Sequence, residues 1–571
     1  MLLKSEIHPS FHPLDLKINL SNHTEFCFMS NTISFSHFRP NKSADDTEAF
    51  AAAMSYLKNH PGTTLIVEPG VYVITSDLAR RTQTAVMRGD YGQNPQPIMF
   101  HPQFDYTKGI CFAGQKNTKL IGYGATILVD GFMEPISLTD CENVELCGIT
   151  IDHKRKPFSR GTVTQVTPLQ DGISEIIITM DEDCPVEKDT PLSLREHFYD
   201  IQQNQHLHSI GAGKREVLDS LHVKMFVSGP VKKGLLWHTI HTYHSRPAVL
   251  IENAKDITLT DVTLHSQPGM GIVGNRSENI TLRRLAVVPA CGYHYSVNTD
   301  ATHFTSIKGK IRIENCLFDS QGDDFTNIHN YYQAIIRRES SKICYIQEQT
   351  PDGTHAQSLD YPDVGDTLEL TDKNTLQTVD QYTVVDCVPL PEKWMCKITL
   401  DHDLPDNTEN LVLSDITRLP FVEITGCTAR SHFARGVLLK TRGAVVENNY
   451  FLDIFGTAIQ IAAEAAWSEG VCPADITIRH NFISNCGCDG WDVGGICVKA
   501  DSPQSRGQSI FHITIEDNII DTPRSRCGIF VRNTCGLKMY RNRVLAAETP
   551  VEIIDCTQVD CDCISSEQQI P

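Results

Sequence analysis

GAVVENNYFLDI (443–454), ADITIRHNFISN (474–485), FHITIEDNIIDT (511–522) and CGLKMYRNRVLA (535–546) are four settings of one phrase. In each, apolar and polar residues alternate, and an Asn then precedes a second apolar pair. Alternation at period two marks a strand with one buried face. The shared Asn residues fall at 449, 481, 518 and 542, so successive units are 32, 37 and 24 residues long. Uneven spacing above a floor of about two dozen residues suits a parallel β-helix, whose loops vary while its strands stack. A leucine-rich repeat would keep a tighter Leu frame, and a propeller would place four strands in every ~40 residues. One rung cannot bury its own inner face, so the stack supplies the core. The Asn residues are expected to turn the chain at rung corners, in the left-handed geometry that Asn tolerates.

Outward from these four, the phrase recurs as ENVELCGITIDH (142–153), KDITLTDVTLHS (255–266), ENITLRRLAVV (278–288), GKIRIENCLFDS (309–320) and PFVEITGCTARS (420–431). Upstream, DDTEAFAAAMSYLKNHPG (45–62) has the apolar spacing of an amphipathic helix, with Asp45 or Asp46 near its N-cap. One strand is expected over 64–74, and the helix could plug the open end of the solenoid. Residues 161–245 and 331–417 lack the phrase and carry strand pairs, such as the hairpin pattern of 366–387. The expected fold is all-β, a right-handed parallel β-helix with two inserted antiparallel β-domains. The implied divisions are 1–160 (cap helix and first rungs), 161–245 (first insert), 246–330 (catalytic rungs), 331–417 (second insert) and 418–571 (last rungs).

The composition is that of a globular protein: 571 residues, 40% hydrophobic and 21% charged. Fifty Lys and Arg against 70 Asp and Glu leave a formal charge of −20, which argues against nucleic acid or an anionic membrane as partner. No apolar run approaches the ~20 residues of a membrane span. Lys4, Glu6, Asp15 and Lys17 interrupt the first twenty residues, so no signal peptide is read there, and the compartment stays open. The 20 cysteines include no Cys-x-x-Cys, which disfavours zinc fingers and thioredoxin-like sites; most read as small buried hydrophobes. No phosphate-binding Gly loop is evident, and no cofactor is expected.

Three aspartates stand out. Asp300 lies in Val-Asn-Thr-Asp-Ala-Thr-His-Phe, and Asp323 with Asp324 in Ser-Gln-Gly-Asp-Asp-Phe-Thr-Asn. Their separation of 23 residues is about one rung, so Asp300 is expected beside the pair on one outer face, ~4.8 Å away along the axis. Carboxylates this close share protons and raise at least one pKa. An acid beside ionised carboxylates is what glycoside hydrolysis requires. A calcium site or a solvated turn would use the same residue types, and spacing alone leaves all three open.

The strings Asn-Thr-Asp300 and Gly-Asp323-Asp324 resemble the acidic signature of polygalacturonases, which are inverting β-helix glycosidases. The longer NTDATHF and QGDDFTNIHNYY resemble glycoside hydrolase family 110, the α-1,3-galactosidases, over nearly the whole chain. That resemblance implies Asp323 as general acid, Asp300 and Asp324 as the groups that position or deprotonate water, and a glycan with terminal α-galactose as substrate. The polygalacturonase Gly-His-Gly is replaced by Ser431-His432-Phe433-Ala434-Arg435-Gly436, and its Arg-Ile-Lys only loosely by Leu438-Leu439-Lys440. Those departures weaken a pectin substrate and leave a neutral sugar untouched.

Weaker candidates complete the list. Lys440 and Arg435 could donate to sugar hydroxyls or serve the surface. Glu464 could hold hydroxyls while Trp467 stacks on a sugar face, or the Trp could cover the core. The His-rich run at His238, His241 and His244 reads as a polar strand away from the acidic rungs, and no metal site is expected. A polygalacturonase-like hydrolase of acidic glycans, a polysaccharide lyase and a non-catalytic carbohydrate-binding solenoid stand as alternatives.

Overall fold

The computed structural model describes residues 31–562, apart from 40–43, 93–94, 101–102, 188–189, 191–195, 204, 208–209, 349–358, 489–493, 503 and 505–507. The first twenty residues, read for a signal peptide, lie outside the described residues. Three sheets of 13, 12 and 11 strands run the length of the molecule, parallel and in chain order apart from one short antiparallel strand of the 12-stranded sheet. Successive turns of chain contribute one strand to each sheet, which is a parallel β-helix. Inward side chains such as Leu259, Ile280, Phe304, Ile328, Leu439 and Ile461 form one continuous core. Helix α1 (Thr47–Asn59) lays Phe50, Ala53, Met54 and Leu57 over its N-terminal end.

Local chemistry refines two expectations. The stretch 64–74 is two strands, Thr63–Ile66 and Gly70–Thr75, because Pro69 has no amide hydrogen to continue a ladder. The corner asparagines are not the left-handed residues. Positive φ falls one residue earlier, at Asn448, His480, Asp517 and Arg541. Asn449, Asn481, Asn518 and Asn542 point inward instead and stack. The Oδ1 of Asn481 accepts from both the backbone and the side-chain amide of Asn449, at 3.1 and 3.0 Å, and the pattern repeats from Asn481 to Asn518 and from Asn518 to Asn542. Their Nδ2 groups also donate to strand carbonyls, so buried amides are satisfied without water. In earlier rungs Leu285, Cys316 and Cys427 occupy this corner, each just after a left-handed Arg284, Asn315 or Gly426.

The two stretches without the phrase leave the helix and return to it. Strands between Phe158 and Ile240 form an antiparallel seven-stranded sheet with its own core around Ile176, Ile178, Met225 and Trp237. Strands between Gln333 and Asp415 close into a six-stranded antiparallel barrel around Ile346, Leu370 and Ile398. The helix continues across the second excursion in register, Lys310 pairing with Phe421.

Candidate active site

Five successive strands of the 12-stranded sheet make the floor: β1 (Ile272–Asn275), β2 (Thr302–Thr305), β3 (Thr326–Tyr331), β4 (Val437–Leu439) and β5 (Ile459–Glu464). Since Phe304, Ile328, Leu439 and Ile461 face the core, alternation turns His303, Asn327, His329, Leu438 and Gln460 outward. The short strand β6 (Glu469–Gly470) folds back antiparallel on both β3 and β5.

The acidic residues stand just before β2 and β3. Thr302 pairs with Thr326, a register of 24 residues, so Asp300 stands beside the Asp323–Asp324 pair and, within it, opposite Asp324. The amide of Ala301 donates to the Asp324 carbonyl at 2.9 Å, which locks this register. One carboxylate oxygen from each of Asp300, Asp323 and Asp324 lies within 4.8 Å of the others. Asp300 and Asp324 are buried, while Asp323 is partly exposed.

The loop sequence explains the placement. A Cβ at Gly322 would collide with the Asn298 carbonyl and the Tyr295 hydroxyl, so only Gly lets the chain pass there into Asp323-Asp324. Asn298 donates to the carbonyls of Pro157 and Thr242, at 3.3 and 3.0 Å, tying the acidic loop to both ends of the first antiparallel sheet. The His-rich segment ending at His244 therefore runs beside the acidic loop, against expectation. His197, from the same antiparallel sheet, stacks on Phe433 with ring centroids 3.5 Å apart.

Arg435 sits one rung beyond Asp324. Its amide donates to Asp324 Oδ1 at 2.8 Å and its guanidinium to Oδ2 at 3.0 Å. Burial pushes the Asp324 carboxyl well up from its ordinary range; Arg435 opposes this, while Asp323 and Asp300 reinforce it. Burial also raises Asp300, with His303 pulling the other way. His303 Nδ1 lies 2.7 Å from Asp300 Oδ2, and His303 Nε2 lies 3.0 Å from His329 Nε2. Neither histidine was picked out from the sequence, though both stand within the motif strings. The sign was available: each follows its Asp by three to five residues on a strand whose alternate side chains are core.

A second charged cluster closes the other end of β3 to β5. Lys440 is wholly enclosed; it donates to Glu469 Oε2 at 2.7 Å and pairs electrostatically with Glu464 Oε2 at 2.9 Å. Burial would raise both carboxyls, but Lys440 outweighs it and holds Glu464 below the ordinary range and Glu469 well below. Asn327 donates to Glu469 and Gln460 to Glu464. Lys440 and Glu464, expected to touch substrate, are thus spent on one another, because β6 brings a second carboxylate that sequence spacing could not place. Trp467, on the 3-10 turn Ala465–Trp467, remains 40% exposed beside this cluster. Arg435 is partly exposed but engaged with Asp324.

A cation could bridge three carboxylates at this spacing. Two of them, however, already have partners in Arg435 and His303, and we treat the set as an acid–base cluster.

The fold and this site define a parallel β-helix with a partly neutralised carboxylate cluster on one sheet face. The family model described as "Right handed beta helix region" matches residues 414–566. The chain is 26% identical over 494 residues to alpha-1,3-galactosidase A of Bacteroides fragilis, covering 81% of this chain and 80% of that protein. It is 24% identical over 575 residues to alpha-1,3-galactosidase B of Bacteroides thetaiotaomicron, covering 91% and 87%. Similar solved structures include the A-module of the mannuronan C-5 epimerase AlgE4 from Azotobacter vinelandii, at 11% identity and a TM-score of 0.42, covering 91% of this chain and 97% of that one. An exopolygalacturonase from Thermotoga maritima follows at 12% and 0.39, covering 92% of each. The resemblance to the α-1,3-galactosidases therefore extends over most of this chain.

Proposed function

We propose that the protein is an exo-acting glycoside hydrolase that removes terminal α-1,3-linked galactose from glycans with inversion. The observation that carries this is the cluster of Asp300, Asp323 and Asp324 on one face of a chain similar to α-1,3-galactosidases over most of its length. Asp323, the most exposed of the three, is placed to meet a leaving group and serves as general acid. Asp300 and Asp324 hold and deprotonate the water.

The nearest oxygens of the cluster lie within 4.8 Å, tighter than the ~6.5–9.5 Å between carboxyl groups usual for inversion. Inversion is inferred instead from how the groups are engaged. Arg435 occupies both oxygens of Asp324 and His303 one of Asp300, which suits two groups sharing a water more than a single nucleophile.

Incubation with linear and fucosylated galactose-α-1,3-galactose oligosaccharides tests the activity by free galactose. Proton NMR should show β-galactose first, before mutarotation. α-Galactose first would remove inversion and leave the hydrolase; no release from either substrate would remove the activity. Glycan binding without turnover would favour a carbohydrate-binding solenoid.

A further inference from the structure

The hydrogen bonds around His303 fix where its protons must be. The carbonyl of Asn330 can only accept, so His329 Nδ1, 2.8 Å away, carries a hydrogen. Burial holds the His329 pKa down at about 3, so that ring carries one proton only and its Nε2 is a bare acceptor. His303 Nε2, 3.0 Å away, must therefore donate to it. The 2.7 Å contact from His303 Nδ1 to Asp300 Oδ2 then needs one further proton, on the ring or on the carboxyl. With that proton on the ring, His303 is an imidazolium and Asp300 a carboxylate; with it on Asp300, only Asp324, whose two oxygens already accept from Arg435, is left as a base.

We infer that His303 is a positioning residue that works as an imidazolium, keeping Asp300 ionised as the base. This rests on the hydrolase function proposed above. Carboxylates stand on both sides of the ring. Asp300 and, beyond it, Asp323 lie on one flank. On the other, Glu469 Oε1 is 3.8 Å from His329 Nε2, in a cluster where one positive charge, on Lys440, faces two negative ones. Arg435 also pulls on Asp300, but its near contacts are with Asp324. Among the described residues Asp300 Oδ1 makes no hydrogen bond, which leaves it for the water. In the step itself the water oxygen bonds to the anomeric carbon as the glycosidic C–O bond breaks. The water proton goes to Asp300 Oδ1 and the Asp323 proton to the leaving oxygen. His303 keeps both its protons throughout.

The test uses kcat/KM against pH on an aryl α-galactoside, whose leaving group needs no acid, so that Asp323 contributes no alkaline limb. The wild type should lose activity at low pH as Asp300 protonates and at high pH as His303 loses its proton. His303→Gln can still donate to Asp300 but carries no charge. It should slow turnover roughly 100-fold, move the acid limb up by about one unit and abolish the alkaline limb, with KM changed less than about threefold. His329→Gln, whose amide oxygen can still accept from His303, should keep both limbs. A His303→Gln profile parallel to wild type would overturn the inference, whatever its absolute rate. Neutron diffraction from wild-type crystals decides the same point without turnover or a variant. Deuterium on both His303 nitrogens and none on Asp300 is expected, and a deuterated Asp300 beside a singly protonated His303 overturns it. If the wild type released no galactose, the hydrolase would fall while the neutron result still stood.

Discussion

The two ends of the sheet face hold opposite solutions to burying charge. At the Asp end, three carboxylates meet one guanidinium and one imidazole, two of the acids are pushed up in pKa, and one is partly open. At the Lys end, one ammonium sits between two carboxylates and pulls both down, so both stay ionised with one negative charge in excess. The first is frustrated and can exchange protons; the second is held ionised and can only hold. Reactivity on this floor goes with the unsatisfied cluster, while the closed one anchors β6 and a negative charge beside His329.

The sharpest way to break that contrast is at Asp323. Asp323→Asn should lower turnover of an α-1,3 disaccharide by about 10²–10⁴-fold, the usual worth of a general acid, and spare far more of the aryl galactoside rate. Asp300→Asn and Asp324→Asn should damage both substrates alike. Near-normal disaccharide turnover by Asp323→Asn would reverse the roles. Thermal melting of Asp323→Asn should stay close to wild type, since it removes a charge from an over-acidic site.

Lys440→Met makes the complementary change. Stripping the ion-pairing ammonium from two buried carboxylates should cost about 3–5 kcal/mol in unfolding free energy. The pH dependence follows from the shifts. In the wild type, Glu464 and Glu469 have depressed pKa values, so their stabilisation is present above the unfolded carboxylate range and fades as pH falls through the folded values. Without Lys440, burial meets only the weaker pulls of Arg435 on Glu464 and of His329 and His303 on Glu469 and pushes both up, so lowering the pH neutralises them and relieves the variant. Melting curves at pH 7.5 and pH 5 should therefore converge between variant and wild type; a gap that widened at pH 5 would mean the Lys end is not a paired cluster.

Two milder changes sharpen the comparison. Asn481→Ala removes a rung of the corner ladder, on another side of the helix, and strands its neighbours' amides, costing about 1–3 kcal/mol by denaturant unfolding. Because it touches neither charged cluster, kcat and KM should not move. Glu464→Gln should be mildest, at about 1 kcal/mol, since Lys440 keeps Glu469 and the amide still hydrogen-bonds. If it proved as costly as Lys440→Met, the two carboxylates would be acting as one unit.

What could be read from sequence was whatever repeats. Period-two alternation exposed the rungs because one face of every strand meets a common core, as Ile476, Ile513 and Leu537 do in consecutive units. The acid cluster was legible as two motifs, but its register was not. Which Asp faces Asp300 depends on the backbone pairing of Thr302 with Thr326, not on motif spacing. The corner asparagines were correctly placed at the turn and wrongly assigned its strained torsion. The left-handed residue varies from Asn to His to Asp to Arg, whereas the ladder requires an amide every time. The Lys440 cluster was opaque because Glu469 arrives by a fold-back too short to leave a pattern.

Arg435 stands one rung from Asp324 in space and 111 residues from it along the chain. During synthesis at ~5–20 residues per second, roughly 6–22 s separate the emergence of the two. For that interval the nascent chain carries its acidic loop without the guanidinium that will hold it. The barrel that fills the gap has its own core and can fold meanwhile, so the last ion pair of the site forms only when the helix resumes. The order of manufacture thus makes reactivity a late product of assembly, and a chain truncated anywhere between residues 324 and 435 would carry all three acids with Asp324 lacking that partner.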